Sequence, residues 1–187
     1  MEVLMADMGY YQDLFSWWIF KKENNVSLFK LGVFLLGVNL LIGFVYATIV
    51  FCLFPDSRNV RLDSFSVRPS FLIFVILAVI LFVFAAIEEF VFRVIPYWIF
   101  RSVSSFSDIK TVIWYLVISS LIFAVPHFFF LSCYAGLPQF FGGIILGIIF
   151  LKSADIWNNP WKGFFVSSCV HCVFNFVWFS VVIIINQ

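Results

Sequence analysis

The chain has 187 residues, of which 64% are hydrophobic and 11% charged, with a formal net charge of +1. A typical soluble domain is about 25% charged, so this composition excludes an ordinary soluble domain. The net charge says nothing about nucleic acid, but no basic block is present, and no nucleic-acid partner is expected. The apolar runs are long and continuous rather than alternating, which predicts an all-α, polytopic membrane protein whose surroundings are the lipid bilayer.

The first charges are acidic (Glu2, Asp7 and Asp13) where a secretory signal needs a positive segment, so no signal peptide is expected. Residues 9–20 carry Tyr10, Tyr11, Phe15, Trp17 and Trp18 and predict a short amphipathic helix at the membrane surface, with Lys21 and Lys22 as interfacial anchors. The chain therefore divides into an interfacial segment, 1–27, and a single helical membrane domain, 28–187. Five spans are expected in that domain. The first, 28–54, stops at Pro55 and leads into a polar loop with Asp56, Arg58, Arg61, Asp63 and Arg68. The second, 69–101, is expected to kink at Pro96, and a serine-rich loop, 102–108, follows. The third covers 111–131, the fourth 137–151 and the fifth 161–185. A span needs about 20 residues, so the fourth requires tilt or a thinned bilayer.

Lys21, Lys22, Lys30, Arg101, Lys110, Lys152 and Lys162 fall on the side of the N-terminus, against Arg58, Arg61 and Arg68 opposite. The positive-inside bias puts the N-terminus in the cytoplasm and, with five spans, the C-terminus outside. A short chain rich in Phe, Ile and Asn points to a bacterial cytoplasmic membrane.

Polar residues inside the spans carry the chemistry. Glu88 and Glu89 end a nearly unbroken apolar run, 71–87, and Arg93 follows one turn later. A carboxylate at membrane depth costs about 3 kcal/mol or more, and a second beside it cannot easily stay ionised as well. His127 follows Phe123, and Asn175 follows His171, each at i,i+4 and so on one face of its helix. Such groups could together serve a hydrolysis, which needs a base for water, a proton for the leaving group and donors for the oxyanion. Glu88 suits the base, His127 suits sharing the water and returning a proton, and His171 with Asn175 suit the oxyanion. Arg93 is best explained as the counter-ion of Glu89. The rival assignment makes Glu89 the base and Glu88 its structural partner.

In chain order these residues read E-E-x-x-x-R from Glu88 to Arg93, F-x-x-x-H from Phe123 to His127 and H-x-x-x-N from His171 to Asn175. Between the last two lies a glycine-bearing helix with Gly142, Gly143 and Gly147. The set, covering about residues 71–180, resembles the CPBP family of CAAX proteases and bacteriocin-processing (Abi) proteins. The resemblance implies a glutamic-type intramembrane endopeptidase without a cofactor. Glu88 and His127 would activate water, His171 and Asn175 would stabilise the oxyanion, and Glu89 and Arg93 would support them. The implied partner is a peptide or protein with an apolar or membrane-anchored segment. No nucleotide motif is present. The alternative from another class is a non-catalytic immunity or secretion-partner protein of the same family.

Plainer explanations stand beside these. The i,i+4 Glu–Arg pair can be a neutralised structural bridge, and an intramembrane His can be a helix-to-helix hydrogen bond. Gly143 and Gly147 form G-x-x-x-G, most simply a close-packing face, although with Gly142 they can also leave room for an extended peptide. Zinc is disfavoured because H-E-x-x-H is absent and the ligands are scattered over three helices. Cys169 and Cys172 read as apolar packing, and Cys52 with Cys133 permits a disulfide without indicating one. Depth gives a conflict: Glu88 lies about 25 Å from residue 71, His127 about 24 Å from residue 111 and His171 about 15 Å from residue 161. Straight helices put Glu88 near the cytoplasm and His127 nearer the outside. Starting the third span several residues later would bring the site together in the inner half of the bilayer.

Overall fold

The computed structural model describes residues 25–53, 71–103, 106, 108–130 and 136–185. The expected interfacial helix and the polar loop after the first span lie outside the described residues, as does Cys133. The described chain is all-helical: α1 (Asn25–Leu53), α2 (Phe71–Glu89), a π-helical turn (Phe90–Val94), α3 (Ile95–Val103), α4 (Ile109–Phe130), α5 (Gly136–Trp157) and α6 (Pro160–Ile185). The segment from α2 through the π turn to α3 is continuous. Five of the described helical stretches are long and apolar enough to cross a membrane. Their outward faces carry large exposed apolar side chains, among them Phe29, Phe44, Leu72, Val79, Phe84 and Phe129. Lipid is the solvent that such a surface suits. The chain is a multi-pass membrane protein.

Local chemistry sets the turns. Asp108 caps α4 by accepting the Lys110 backbone N–H at 3.1 Å. Between α5 and α6 the chain turns through Asn158, which has a positive φ of 46°. The Asn158 and Asn159 N–H groups donate back to Asp155 O and Ala154 O, a Schellman closure with asparagine in the left-handed position. Asn159 Oδ1 then accepts from Trp161 N at 2.9 Å and starts α6.

Helix α5 is the centre of the bundle, packed against α1, α4 and α6. It is longer than hydropathy indicates, with 22 residues running past Leu151 through Lys152, Ser153 and Asp155. Lys152 and Ser153 are buried, so polar residues that resemble a loop in sequence are interior helix. Its glycines are contact points. A Cβ on Gly143 would stand 3.1 Å from the Ser120 backbone Cα, one on Gly147 2.8 Å from Leu116, and one on Gly142 3.2 Å from the Asn39 amide. The close-packing explanation wins, and the α5 glycines leave no bed for an extended peptide.

The depth conflict is resolved by the second span. Helix α4 begins at Ile109, slightly earlier than expected rather than later. The second span runs on past Pro96 as expected, ending at Val103, and this inner end is the one from which depth is to be measured. Measured from that end, Glu88 lies about 22 Å along its helix, and His127 about 27 Å from Ile109. The two motifs therefore share a level.

Candidate active site

Neighbouring residues on a helix point about 100° apart, so two adjacent glutamates cannot share one environment. Glu89 points into the bundle and is fully buried, whereas the Glu88 side chain is 30% exposed. His171 on α6 stands between them. Its Nδ1 lies 3.0 Å from Glu89 Oε1 and its Nε2 3.4 Å from Glu88 Oε2. The second oxygen of Glu89, Oε2, faces Arg93 Nε at 3.8 Å.

The helix changes register directly after Glu89. The Ile95 N–H donates to Phe90 O, five residues back, which gives the wider π turn. Pro96 follows at once. Having no N–H, it can serve neither the carbonyl four back, Phe92, nor the one five back, Val91. The Arg93 guanidinium takes the Phe92 carbonyl, with Nη1 donating at 2.9 Å, and also reaches Ser119 O on α4 at 3.4 Å. The Tyr115 hydroxyl donates to Arg93 O at 3.2 Å. Arg93 is fully buried, and its Cζ lies 5.0 Å from the centroid of the Phe123 ring. A guanidinium over an aromatic face is stabilised by the ring quadrupole, all the more when dry.

Phe123 is the hub of the site. It is 1% exposed, and the rings of Phe92, His127 and His171 all pack on it, with centroids 5.5, 4.7 and 5.6 Å away. His127 is half-buried, and its Nδ1 donates to Phe123 O at 2.8 Å. A carbonyl only accepts, so in the neutral ring Nδ1 carries the proton and Nε2 keeps a lone pair. Asn175 is half-buried one turn beyond His171 and makes no side-chain hydrogen bond among the described residues.

Of the residues expected to form the site, Glu88, Glu89, Arg93 and His171 thus meet directly. His127 joins through Phe123, and Asn175 lies one turn from His171 with no side-chain hydrogen bond to the others. Cys169 and Cys172 are free thiols. No three His, Cys, Asp or Glu side chains converge in a metal-holding arrangement among the described residues. Sequence reasoning missed Tyr115, Ser119 and the π turn. The signal available was Pro96, which has no N–H for the Phe92 carbonyl beside Arg93.

An all-helical membrane protein with carboxylates, histidines and a buried arginine gathered at mid-span belongs to the polytopic intramembrane class. Compared with known families, residues 69–177 match the family described as type II CAAX prenyl endopeptidase Rce1-like. The match covers more than half of the chain and every motif residue, and the chain belongs to this Rce1-like, CPBP-type family. At family level it is a CAAX-protease-type intramembrane peptidase. No curated protein and no solved structure compared with the chain matches it.

Proposed function

We propose that the chain hydrolyses a peptide bond in a membrane-anchored or apolar peptide substrate, with Glu88 as the general base. One observation supports this most: the two adjacent carboxylates have opposite surroundings. Glu89 is buried and held by Arg93 and His171, while Glu88 is partly exposed and has His171 as its one ion-pair partner among the described residues. A base must reach water, and a fully buried, paired carboxylate does not. This favours Glu88 over the rival Glu89.

In this scheme Glu88 and the His127 Nε2 lone pair hold a water. Glu88 takes one of its protons as the water oxygen attacks the scissile carbonyl carbon. His171 Nε2–H and the Asn175 amide donate to the oxyanion that forms. As the tetrahedral intermediate collapses, the proton passes to the leaving amine nitrogen from Glu88 or through His127. The contact between His171 Nε2 and Glu88 is then the resting arrangement, released when a carbonyl enters. Substrate reaches the site from the cytoplasmic half, its apolar part arriving laterally. The N-terminus is cytoplasmic, by the bias of Lys and Arg in the loops.

The test is cleavage by the purified protein in detergent or nanodiscs. Peptides ending in an apolar segment are supplied with and without an isoprenyl-cysteine, and products are read by mass spectrometry. Cleavage by the wild type that vanishes in His127→Ala is expected. Equal cleavage by that variant would remove His127 from the reaction.

A further inference from the structure

We propose that Pro96 and Tyr115 are positioning residues for this site: together they hold the π turn that aims Arg93, and through Arg93 and Glu89 they set the orientation of His171. The proposal rests on His171 taking part in the reaction as described above, but its structural half stands apart from that reading.

The chain of causes is short and local. In an unbroken α-helix, the N–H of residue 96 would bond the Phe92 carbonyl. Proline supplies none, and its ring crowds the carbonyl four residues back. The helix accommodates this by widening, as the bond from Ile95 N–H to Phe90 O shows. The Phe92 carbonyl, which Pro96 cannot serve, accepts from Arg93 Nη1 at 2.9 Å. That bond folds the guanidinium back along its own helix, so that Nε faces Glu89 Oε2 at 3.8 Å while Nη1 also reaches Ser119 O. Glu89 in turn presents Oε1 to His171 Nδ1 at 3.0 Å. Tyr115 closes the arrangement from α4, its hydroxyl donating to Arg93 O at 3.2 Å within the π turn. Tyr115 is fully buried, yet its hydroxyl touches none of the reacting groups and spends its one proton on this carbonyl. A hydroxyl placed there fixes backbone register in a way that a phenylalanine of the same shape does not.

Proline inside a helix normally lowers stability, so removing it tests positioning against mere structure. Pro96→Ala returns the missing N–H, lets the helix revert to α register and competes with Arg93 for the Phe92 carbonyl. Because the chain has only two histidines, nitrogen-15 labelling of histidine gives one reporter at the site's centre and one internal control. In the purified full chain, Pro96→Ala should shift the ring-nitrogen resonances of His171 several times more than those of His127, with no fall in thermal midpoint. Tyr115→Phe should move His171 in the same direction. Pro160→Ala should move neither, since proline at the first position of a helix orphans no carbonyl. With a cleavable peptide, kcat should drop roughly ten- to a hundred-fold at an almost unchanged KM, as for a displaced catalytic group.

Wild-type His171 resonances in both Pro96→Ala and Tyr115→Phe would overturn the proposal. So would equal shifts of both histidines with a lowered midpoint, which mark general loosening. If Pro96→Ala does not accumulate, Tyr115→Phe decides alone. Should the wild type cut no peptide, the resonances still decide the positioning claim, and only the catalytic reading falls.

Discussion

Replacing Arg93 by methionine removes a guanidinium from an ion pair in which both side chains are fully buried. Loss of one partner of such a pair costs about 3–5 kcal/mol, because the remaining charge is left without compensation. Arg93 also donates to Phe92 O and Ser119 O, and a hydrogen bond from a charged donor contributes about 1.5–3 kcal/mol. Its contact with Phe123 adds about 2 kcal/mol where water is excluded. These figures do not sum, since methionine also removes the cost of desolvating the guanidinium. A net loss of about 3–5 kcal/mol is the expectation, a large part of a total stability of about 5–15 kcal/mol. Removing both charges should be milder. Arg93→Met combined with Glu89→Gln leaves an uncharged pair, and the coupling should return about 1–3 kcal/mol. Detergent-solubilised protein, unfolded by heat or by titration with a denaturing detergent, gives all four corners of the cycle. An Arg93→Met protein within about 1 kcal/mol of wild type would refute the reasoning. A double variant as unstable as the two single losses added together would refute it too.

Packing and cofactor chemistry give further tests. Gly163→Ala should destabilise by about 1–3 kcal/mol, because the new Cβ would lie 2.7 Å from the backbone oxygen of Phe150, which cannot move aside cheaply. Gly32→Ala meets nothing within 4 Å and should be neutral or slightly stabilising in the same unfolding assay. Cleavage should survive EDTA and 1,10-phenanthroline if, as proposed, a carboxylate and a histidine activate the water; loss restored by added zinc would revive a metalloprotease mechanism.

Most of the fold is visible in the sequence because continuous apolar runs admit only helices in a bilayer. The ends of those helices are less visible where protein, rather than lipid or water, surrounds a polar side chain. Lys152 and Ser153 resemble a loop until burial shows them inside α5. The site shows the same contrast. The spacing of Glu89 and Arg93 announces their pairing, and the observed ion pair follows it. That His171 touches both glutamates is invisible in the i,i+4 spacing with Asn175, because it depends on how α6 crosses α2. The π turn, which ends two residues before Pro96, is a local change of register that hydropathy does not show and a kink only approximates. The glycines of α5 were open to two explanations, and the neighbours that press on them, Ser120, Leu116 and Asn39, decide for packing.

The division of labour between the two glutamates is the central claim, and comparing Glu88→Gln with Glu89→Gln tests it most directly. Both variants keep shape and volume and lose one charge. Glu88→Gln should abolish peptide cleavage while membrane accumulation and thermal midpoint stay at wild-type values, because the side chain is partly exposed and lies outside the buried pair. Glu89→Gln should lower the midpoint, because it leaves Arg93 buried without its counter-ion. Full cleavage by Glu88→Gln, together with a stable but inactive Glu89→Gln protein, would contradict the account and make Glu89 the base.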